Sequence, residues 1–166
     1  MNWDNTQIIP RLERHEEAVS RWRYEGAYAF YNPVEPFCAV HPDRPMDSGS
    51  FAWVDAAGNV LGHISYGLDG RIPTEEGYPY SGDFLDVGLG LRPDLCGRGF
   101  GRDFVRLCLR FGQEQYGTDR FRLSVAAFNT RAVKVYQRAG FSIVCEVTNA
   151  VFRNKFYIMT GTYTGA

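Results

Sequence analysis

The sequence lacks the features that mark several large classes of protein. No apolar run approaches the ~20 residues that a membrane-spanning helix needs. The start of the chain has no basic region followed by an apolar one, as a signal peptide would have. The four cysteines include no CxxC pair, and the three histidines have no metal-ligand spacing. We therefore expect a cytoplasmic protein with free thiols, no membrane association and no metal.

The chain also lacks an excess of charge of either sign. Its 18 Lys and Arg residues against 19 Asp and Glu residues give a formal net charge of -1. This balance offers no electrostatic reason to expect nucleic acid as a partner. With 166 residues, 45% hydrophobic and 22% charged, and with no repeat or linker, the chain is predicted to form a single domain over residues 1–166.

Hydrophobic periodicity predicts an α+β order of elements. The predicted helices span residues 11–31 in one or two segments, 101–117 and 130–139, and the predicted strands span 51–54, 60–66, 84–91, 121–125, 141–147 and 156–162. The strand at 121–125 alternates apolar and polar residues, which predicts half burial. The polar, glycine- and proline-rich segment 68–82 is predicted to be a mobile loop.

A glycine-rich turn between a strand and a helix is the most informative feature. Gly97, Gly99 and Gly101 alternate with other residues, and Arg98 and Arg102 add positive charge. Bare backbone N–H groups at a helix start favour a bound anion, and arginine suits phosphate oxygens. The turn therefore predicts a pyrophosphate cradle. The alternative is a helix entry whose glycines only permit tight packing.

Two common phosphate motifs do not match this turn. A dinucleotide fingerprint needs G-x-G-x-x-G, and here the third glycine is misplaced. A nucleoside triphosphate loop needs Gly-Lys-Ser/Thr, and no lysine is present in this turn. A nucleotide-binding domain remains an alternative function, but the sequence argues against it.

A second group of residues follows about thirty residues later, on one helix. Asn129 is a suitable N-cap, and Tyr136 lies two turns further on nearly the same helix face. A tyrosine hydroxyl there could give a proton to a thiolate leaving group. Spacing alone fits equally well a core tyrosine and a simple cap. Gly140 is a suitable end for this helix, and Phe141 follows it.

Together, the glycine turn and the Asn129…Tyr136…Gly140-Phe141 helix resemble the GNAT superfamily of acetyl-CoA-dependent N-acetyltransferases, over roughly residues 84–141. In that family the turn reads Gln/Arg-x-x-Gly-x-Gly/Ala. Gly99 and Gly101 match this pattern, whereas Cys96 stands where Gln or Arg is usual. The resemblance implies an α+β fold with a mixed, mostly antiparallel sheet of about six to seven strands and helices on both faces.

The resemblance implies transfer of acetyl from acetyl-CoA to a primary amine of a small molecule or protein. The implied cofactor-binding residues are Leu89, Gly90 and Leu91 for pantetheine, Gly97, Arg98, Gly99, Phe100, Gly101 and Arg102 for the pyrophosphate, and Asn129 for the cleft side of the cofactor. Tyr136 would protonate the departing CoA sulfur. An acetyl-CoA sensor without turnover and a transferase of a longer acyl chain remain alternatives.

The general base is less well marked. Ser124 stands where some relatives place a glutamate, and it cannot serve as a base. Asp86 is the better candidate, although it could equally be a solvent-facing strand residue. Asp83 and Glu146 are weaker options, and proton removal through water would need none of them.

The residues that would bind the amine acceptor are the hardest to identify from the sequence. An aromatic lining for a cationic amine could come from Trp22, Tyr24, Tyr28 and Tyr31, with attracting charge from Asp69, Glu75, Glu76 and Asp83. Such aromatics are more often core residues, and such acids often only solvate a loop. A monomer and a homodimer are both compatible with the sequence.

Overall fold

The computed structural model describes residues 3–165, which contain three α-helices and seven β-strands. The helices are α1 (Glu13–Ser20), α2 (Gly101–Tyr116) and α3 (Thr130–Arg138). The strands are β1 (Thr6–Pro10), β2 (Ser50–Asp55), β3 (Val60–Tyr66), β4 (Leu85–Leu91), β5 (Arg120–Ala126), β6 (Ser142–Thr148) and β7 (Lys155–Thr162). No helix in this part of the chain is long and apolar enough to span a membrane.

The chain divides into two compact units, one within residues 1–65 and 89–98 and the other within 66–88 and 99–166. In the first unit, β1 pairs antiparallel with β2, and β2 pairs antiparallel with β3. A small core joins α1 to these strands, and it consists of Val19, Trp22, Ala52, Val54 and Val60. The strands predicted at 51–54 and 60–66 are therefore confirmed, and they pair with each other as β2 and β3.

The second unit contains β5, β6, β7 and the start of β4. The first residues of β4 pair parallel with β5, through Leu85 opposite Phe121 and Asp86 opposite Arg122. Strand β7 pairs antiparallel with both β5 and β6. With antiparallel pairing in the majority and helices between the strands, the predicted α+β fold class is confirmed. The single domain over residues 1–166 stays a prediction.

Two local predictions are corrected by the structure. Strand β5 is not half-buried, because the side chain of Arg122 is as inaccessible as its apolar neighbours. Segment 68–82 is not free of structure, since Gly67–Gly70 form a short 3₁₀-helix and Thr74 forms a β-bridge with Asn149. In β5 the physical cause is the buried ion pair of Arg122 with Asp86.

Candidate functional site

The glycine turn has the backbone geometry that a cradle for an anion requires. Gly97 and Gly99 have φ values of +73° and +87°, which side chains of L-residues rarely adopt. Nothing lies within 4 Å of the position that a Cβ would take at Gly99. Helix α2 begins two residues later, at Gly101, so the unpaired N–H groups of its first turn follow directly. The turn is exposed from Gly97 to Gly99.

Cys96 and the two arginines of the turn lie in different surroundings. The thiol of Cys96 donates to the carbonyl oxygens of Leu91 and Arg92 at 3.5 and 3.6 Å, so it stabilises the backbone that leads into the turn. Arg98 and Arg102 are exposed, and Arg98 donates to the carbonyl of Asp94 at 3.5 Å. The charge of the turn is therefore carried by exposed side chains rather than by a buried cation.

The strand end Leu89–Leu91 is bordered by aromatic residues of the first unit. The Tyr24 hydroxyl donates to the carbonyl of Leu91 at 2.8 Å. A Cβ built at Gly90 would lie only 2.0 Å from Nε2 of His63, so no other residue fits there without displacing the ring. The ring of Trp22 lies 5.8 Å from that of His63, centroid to centroid.

His63 was not singled out by sequence reasoning except to exclude a metal. Its Nδ1 is buried and has no hydrogen-bond partner among the described residues. Burial, with a smaller contribution from the positive charge of Arg11, lowers the pKa of His63 to about 3. No motif could have revealed this contact, because His63 and Gly90 lie on different strands.

The second constellation lies in the second unit, at α3. The side chain of Asn129 accepts a hydrogen bond from the backbone N–H of Ala132 at 3.1 Å, so the predicted N-cap is confirmed. Tyr136 is partly exposed and makes an edge contact with Phe141, centroids 6.1 Å apart. A Cβ at Gly101 would lie 3.5 Å from Val135, which places the helix that carries Tyr136 beside the first residue of α2.

Asp86 is buried between two guanidinium groups and does not face solvent, so that alternative is wrong. It accepts from Arg122 at 2.5 and 2.9 Å and from Arg71 at 2.7 Å. Burial alone would lower the pKa of Arg122, but its hydrogen bonds and charge interaction with Asp86 raise it above the usual value. The role of Asp86 as a general base stays a prediction, although its oxygens are already engaged.

Arg122 also anchors the segment that precedes β4. It donates to the carbonyl oxygens of Tyr80 and Ser81 at 2.9 and 2.7 Å. The rings of Tyr78, Tyr80 and Phe84 lie 5.0 to 5.8 Å from its guanidinium carbon. The Tyr80 hydroxyl is 3.5 Å from the hydroxyl of Ser124, the residue that stands where some relatives place a glutamate.

Most of the acids proposed for attraction of an amine have basic or N–H partners. Glu75 pairs with Arg153 at 2.5 Å, and Asp83 lies 3.9 Å from Arg120. The carboxylate of Glu76 accepts from the backbone N–H of Thr148 at 2.9 and 3.0 Å. Glu146, a weaker option for the general base, lies 3.7 Å from Lys155. Asp69 is exposed. No group of three or more His, Cys, Asp and Glu side chains in residues 3–165 could hold a metal ion.

Comparison with known proteins decides the family. Residues 7–142 match the model of the acetyltransferase (GNAT) domain. The chain belongs to this family. A curated relative of this GNAT chain is the mycothiol acetyltransferase of Salinispora arenicola, 33% identical over 95 residues. That alignment covers 54% of the chain but only 30% of the relative's length.

Solved structures show the same fold at low sequence identity. A spermidine N-acetyltransferase SpeG chimera from Vibrio cholerae and hSSAT has a TM-score of 0.64 and 19% identity, with 95% of each chain covered. A GNAT-family acetyltransferase from Bacillus anthracis has a TM-score of 0.65 and 15% identity, again with 95% of each chain covered. These structures support the fold, and the match of residues 7–142 to the GNAT domain model confirms the predicted membership of the GNAT superfamily.

Proposed function

We propose that this chain transfers the acetyl group of acetyl-CoA to a primary amine. The observation that carries the proposal is the exposed turn with left-handed Gly97 and Gly99, which runs into the N-terminus of α2 in a chain of the GNAT family. A helix start with bare N–H groups suits a pyrophosphate, and the family uses acetyl-CoA. The residues present therefore fit this substrate.

The remaining proposed contacts with acetyl-CoA come from the end of β4, the arginines of the turn and the start of α3. The backbone of Leu89–Leu91 would pair with the amides of pantetheine as an added strand would. Arg98 and Arg102 would add charge at the phosphates, and Asn129 would border the cofactor from the start of α3. The thiol of Cys96 donates to the carbonyl of Leu91, so the phosphates would be bound by backbone N–H groups and by the arginines.

Tyr136 is proposed as the general acid. The neutral amine attacks the thioester carbon, a C–N bond forms, and the C–S bond breaks with departure of the sulfur as a thiolate. The Tyr136 hydroxyl gives its proton to that sulfur. The amine loses its own proton either to Asp86 or to water, and the guanidinium partners of Asp86 favour water.

The acceptor is proposed to be a small-molecule amine or a protein amine. One compared structure is named for spermidine and the curated relative for mycothiol. The paired acids at Glu75, Glu76 and Asp83 give little support for a strongly cationic acceptor. A cytoplasmic location and a monomeric or homodimeric state remain part of the proposal.

We expect Tyr136→Phe to slow thiol release from acetyl-CoA in the presence of a panel of amines by about 100-fold, because a positioned acid contributes roughly that factor. Tyr116→Phe, which removes a hydroxyl from an exposed ring at the end of α2, is the matched control and should keep the rate. Full turnover in Tyr136→Phe would remove the residue from its role.

A thermal-shift series tests the cosubstrate separately. Acetyl-CoA and CoA should raise the melting temperature, since a ligand that binds only the folded state stabilises it. A shift with ATP or NAD, and none with CoA, would overturn the proposed function in favour of a nucleotide-binding domain. A shift with acetyl-CoA, but no thiol release with any amine, would favour the sensor.

A further inference from the structure

His63 has an unusual environment for a strand histidine. Its Nδ1 is buried and has no hydrogen-bond partner within residues 3–165. Buried polar atoms are normally hydrogen-bonded, and a buried one without a partner costs about 1–3 kcal/mol. The residue as a whole is only partly buried, although the imidazole itself is desolvated. This combination indicates a side chain retained for contact with something other than the protein.

The ring is held in a defined position on the strand end. Nε2 lies where a side chain at residue 90 would stand, since a Cβ built at Gly90 would be 2.0 Å from it. Trp22 lies on another side of the ring, with centroids 5.8 Å apart. The neighbouring carbonyl of Leu91 is already occupied by the Tyr24 hydroxyl at 2.8 Å. Nε2 therefore lies directly beside the backbone of the strand end, at Gly90.

The protonation state follows from burial. A pKa of about 3 keeps the imidazole neutral at every pH at which the protein would work, so one nitrogen carries a proton and the other accepts. An orphaned buried N–H is rarer than an acceptor without a partner. The proton is therefore assigned to Nε2, and the ring presents an N–H donor at Gly90.

We propose that His63 is a catalytic residue whose Nε2–H donates a hydrogen bond to the carbonyl oxygen of the acetyl thioester. The inference rests on the proposed function, because it requires the acyl-pantetheine arm to lie along Leu89–Leu91. As the amine attacks, the C=O electron pair moves onto the oxygen, and the hydrogen bond stabilises the charge that develops there. The pair returns as the C–S bond breaks, and His63 keeps its proton throughout.

Three substitutions separate this role from packing. His63→Phe keeps a flat ring without a donor, and we expect a loss of about 100-fold in kcat with little change in the KM for the amine. His63→Gln places an amide N–H near the Nε2 position and should keep more activity than His63→Asn, whose amide lies nearer the Nδ1 position. His41→Gln, at an exposed histidine, is the control and should match the wild type.

A spectroscopic readout is independent of turnover. The carbonyl stretch of bound ¹³C-labelled acetyl-CoA should lie at lower frequency in the wild type than in His63→Phe, since a hydrogen bond weakens the C=O bond. Equal frequencies in the two proteins would overturn the proposal. So would equal loss of affinity for CoA and acetyl-CoA in His63→Phe, because CoA has no thioester carbonyl.

Two further outcomes keep the two proposals apart. If the wild type releases thiol and His63→Phe has the same kcat, the role of His63 is contradicted and the proposed acetyltransferase activity is not affected. A wild type that neither binds acetyl-CoA nor releases thiol would sink the proposed function and this inference with it. If ¹⁵N NMR showed that His63 gains a proton between pH 5 and 8, that result would also contradict the proposal of a neutral donor.

Discussion

Arg122 shows how a single residue departs from the pattern of its strand. Alternation along residues 121–125 predicts an outward side chain, yet Arg122 is only 1% exposed. It lies in register with Asp86 on the neighbouring parallel strand, and opposite charges on adjacent strands attract. The sequence contains both residues, but their register is a property of the sheet. No local pattern could therefore have predicted this buried pair.

At this scale we expect Asp86→Asn to destabilise the protein by about 3–5 kcal/mol, because the Arg122 guanidinium would stay buried without its counter-charge. Urea unfolding, monitored by circular dichroism, measures the loss. The paired replacement Asp86→Leu with Arg122→Met should recover part of it, since an apolar pair leaves no buried charge.

The same variant examines the general base. With water as the proton acceptor, folded Asp86→Asn should turn over with an unchanged pH profile. Loss of the acidic limb of that profile would instead restore Asp86 as the base. An Asp86→Asn protein as stable as the wild type would contradict the structural role given to the ion pair.

Elements with strong local signals were predicted to within a few residues. Helix α2 runs from Gly101 to Tyr116 and ends at Gly117 in the left-handed conformation, as the periodic apolar residues and the glycine indicate. Strand β1 was missed, because its five residues end in Pro10 and show no clear alternation. Its place is decided by pairing with β2, which is a long-range effect.

The glycine turn gives a matched pair of substitutions at the scale of one element. Gly99→Ala should cost about 1–2 kcal/mol in unfolding free energy, because its φ of +87° is unfavourable for any residue with a Cβ. Gly101→Ala lies within the helix, where a Cβ would make an ordinary 3.5 Å contact with Val135, and should be neutral or slightly stabilising. Equal effects of the two changes in thermal unfolding would show that the turn is not strained as described.

For the whole molecule, the motifs predicted the family, and the family implies the fold. The glycine turn and the capped α3 are local features, so a single sequence was enough to find them. The environment of His63 was not predictable, because it joins β3 to residue 90 across distant parts of the chain. The acceptor stayed open for a related reason, since its recognition depends on surfaces rather than on a motif.

Acid should weaken the fold in two stages. His15 and His63 have lowered pKa values, chiefly through burial, so below about pH 6.5 the unfolded chain takes up protons that the folded chain does not. Stability then falls as the pH falls, by up to about 1.4 kcal/mol per pH unit for each histidine. Glu13, whose pKa is lowered chiefly by the backbone N–H of His41, adds a further loss below about pH 4.5.

Melting temperatures measured from pH 8 to pH 4 test this expectation. His63→Phe should show a shallower decline between pH 6.5 and 5, because one proton-binding group of the unfolded chain is gone. A wild-type melting temperature that stays constant over that interval would contradict the assignment of two neutral buried imidazoles.

The contact between Gly90 and His63 also constrains how this sequence can change over evolution. A Cβ built at Gly90 would lie 2.0 Å from Nε2 of His63, so a methyl group at residue 90 and the ring in its present position exclude each other. A substitution at residue 90 is therefore accessible only after residue 63 has become smaller, and the order of the two steps is set. Homologues should thus fall into two groups, with a small residue paired to an imidazole or a larger residue paired to a short side chain. Substitutions at positions 63 and 90, which are 27 residues apart, would then occur together.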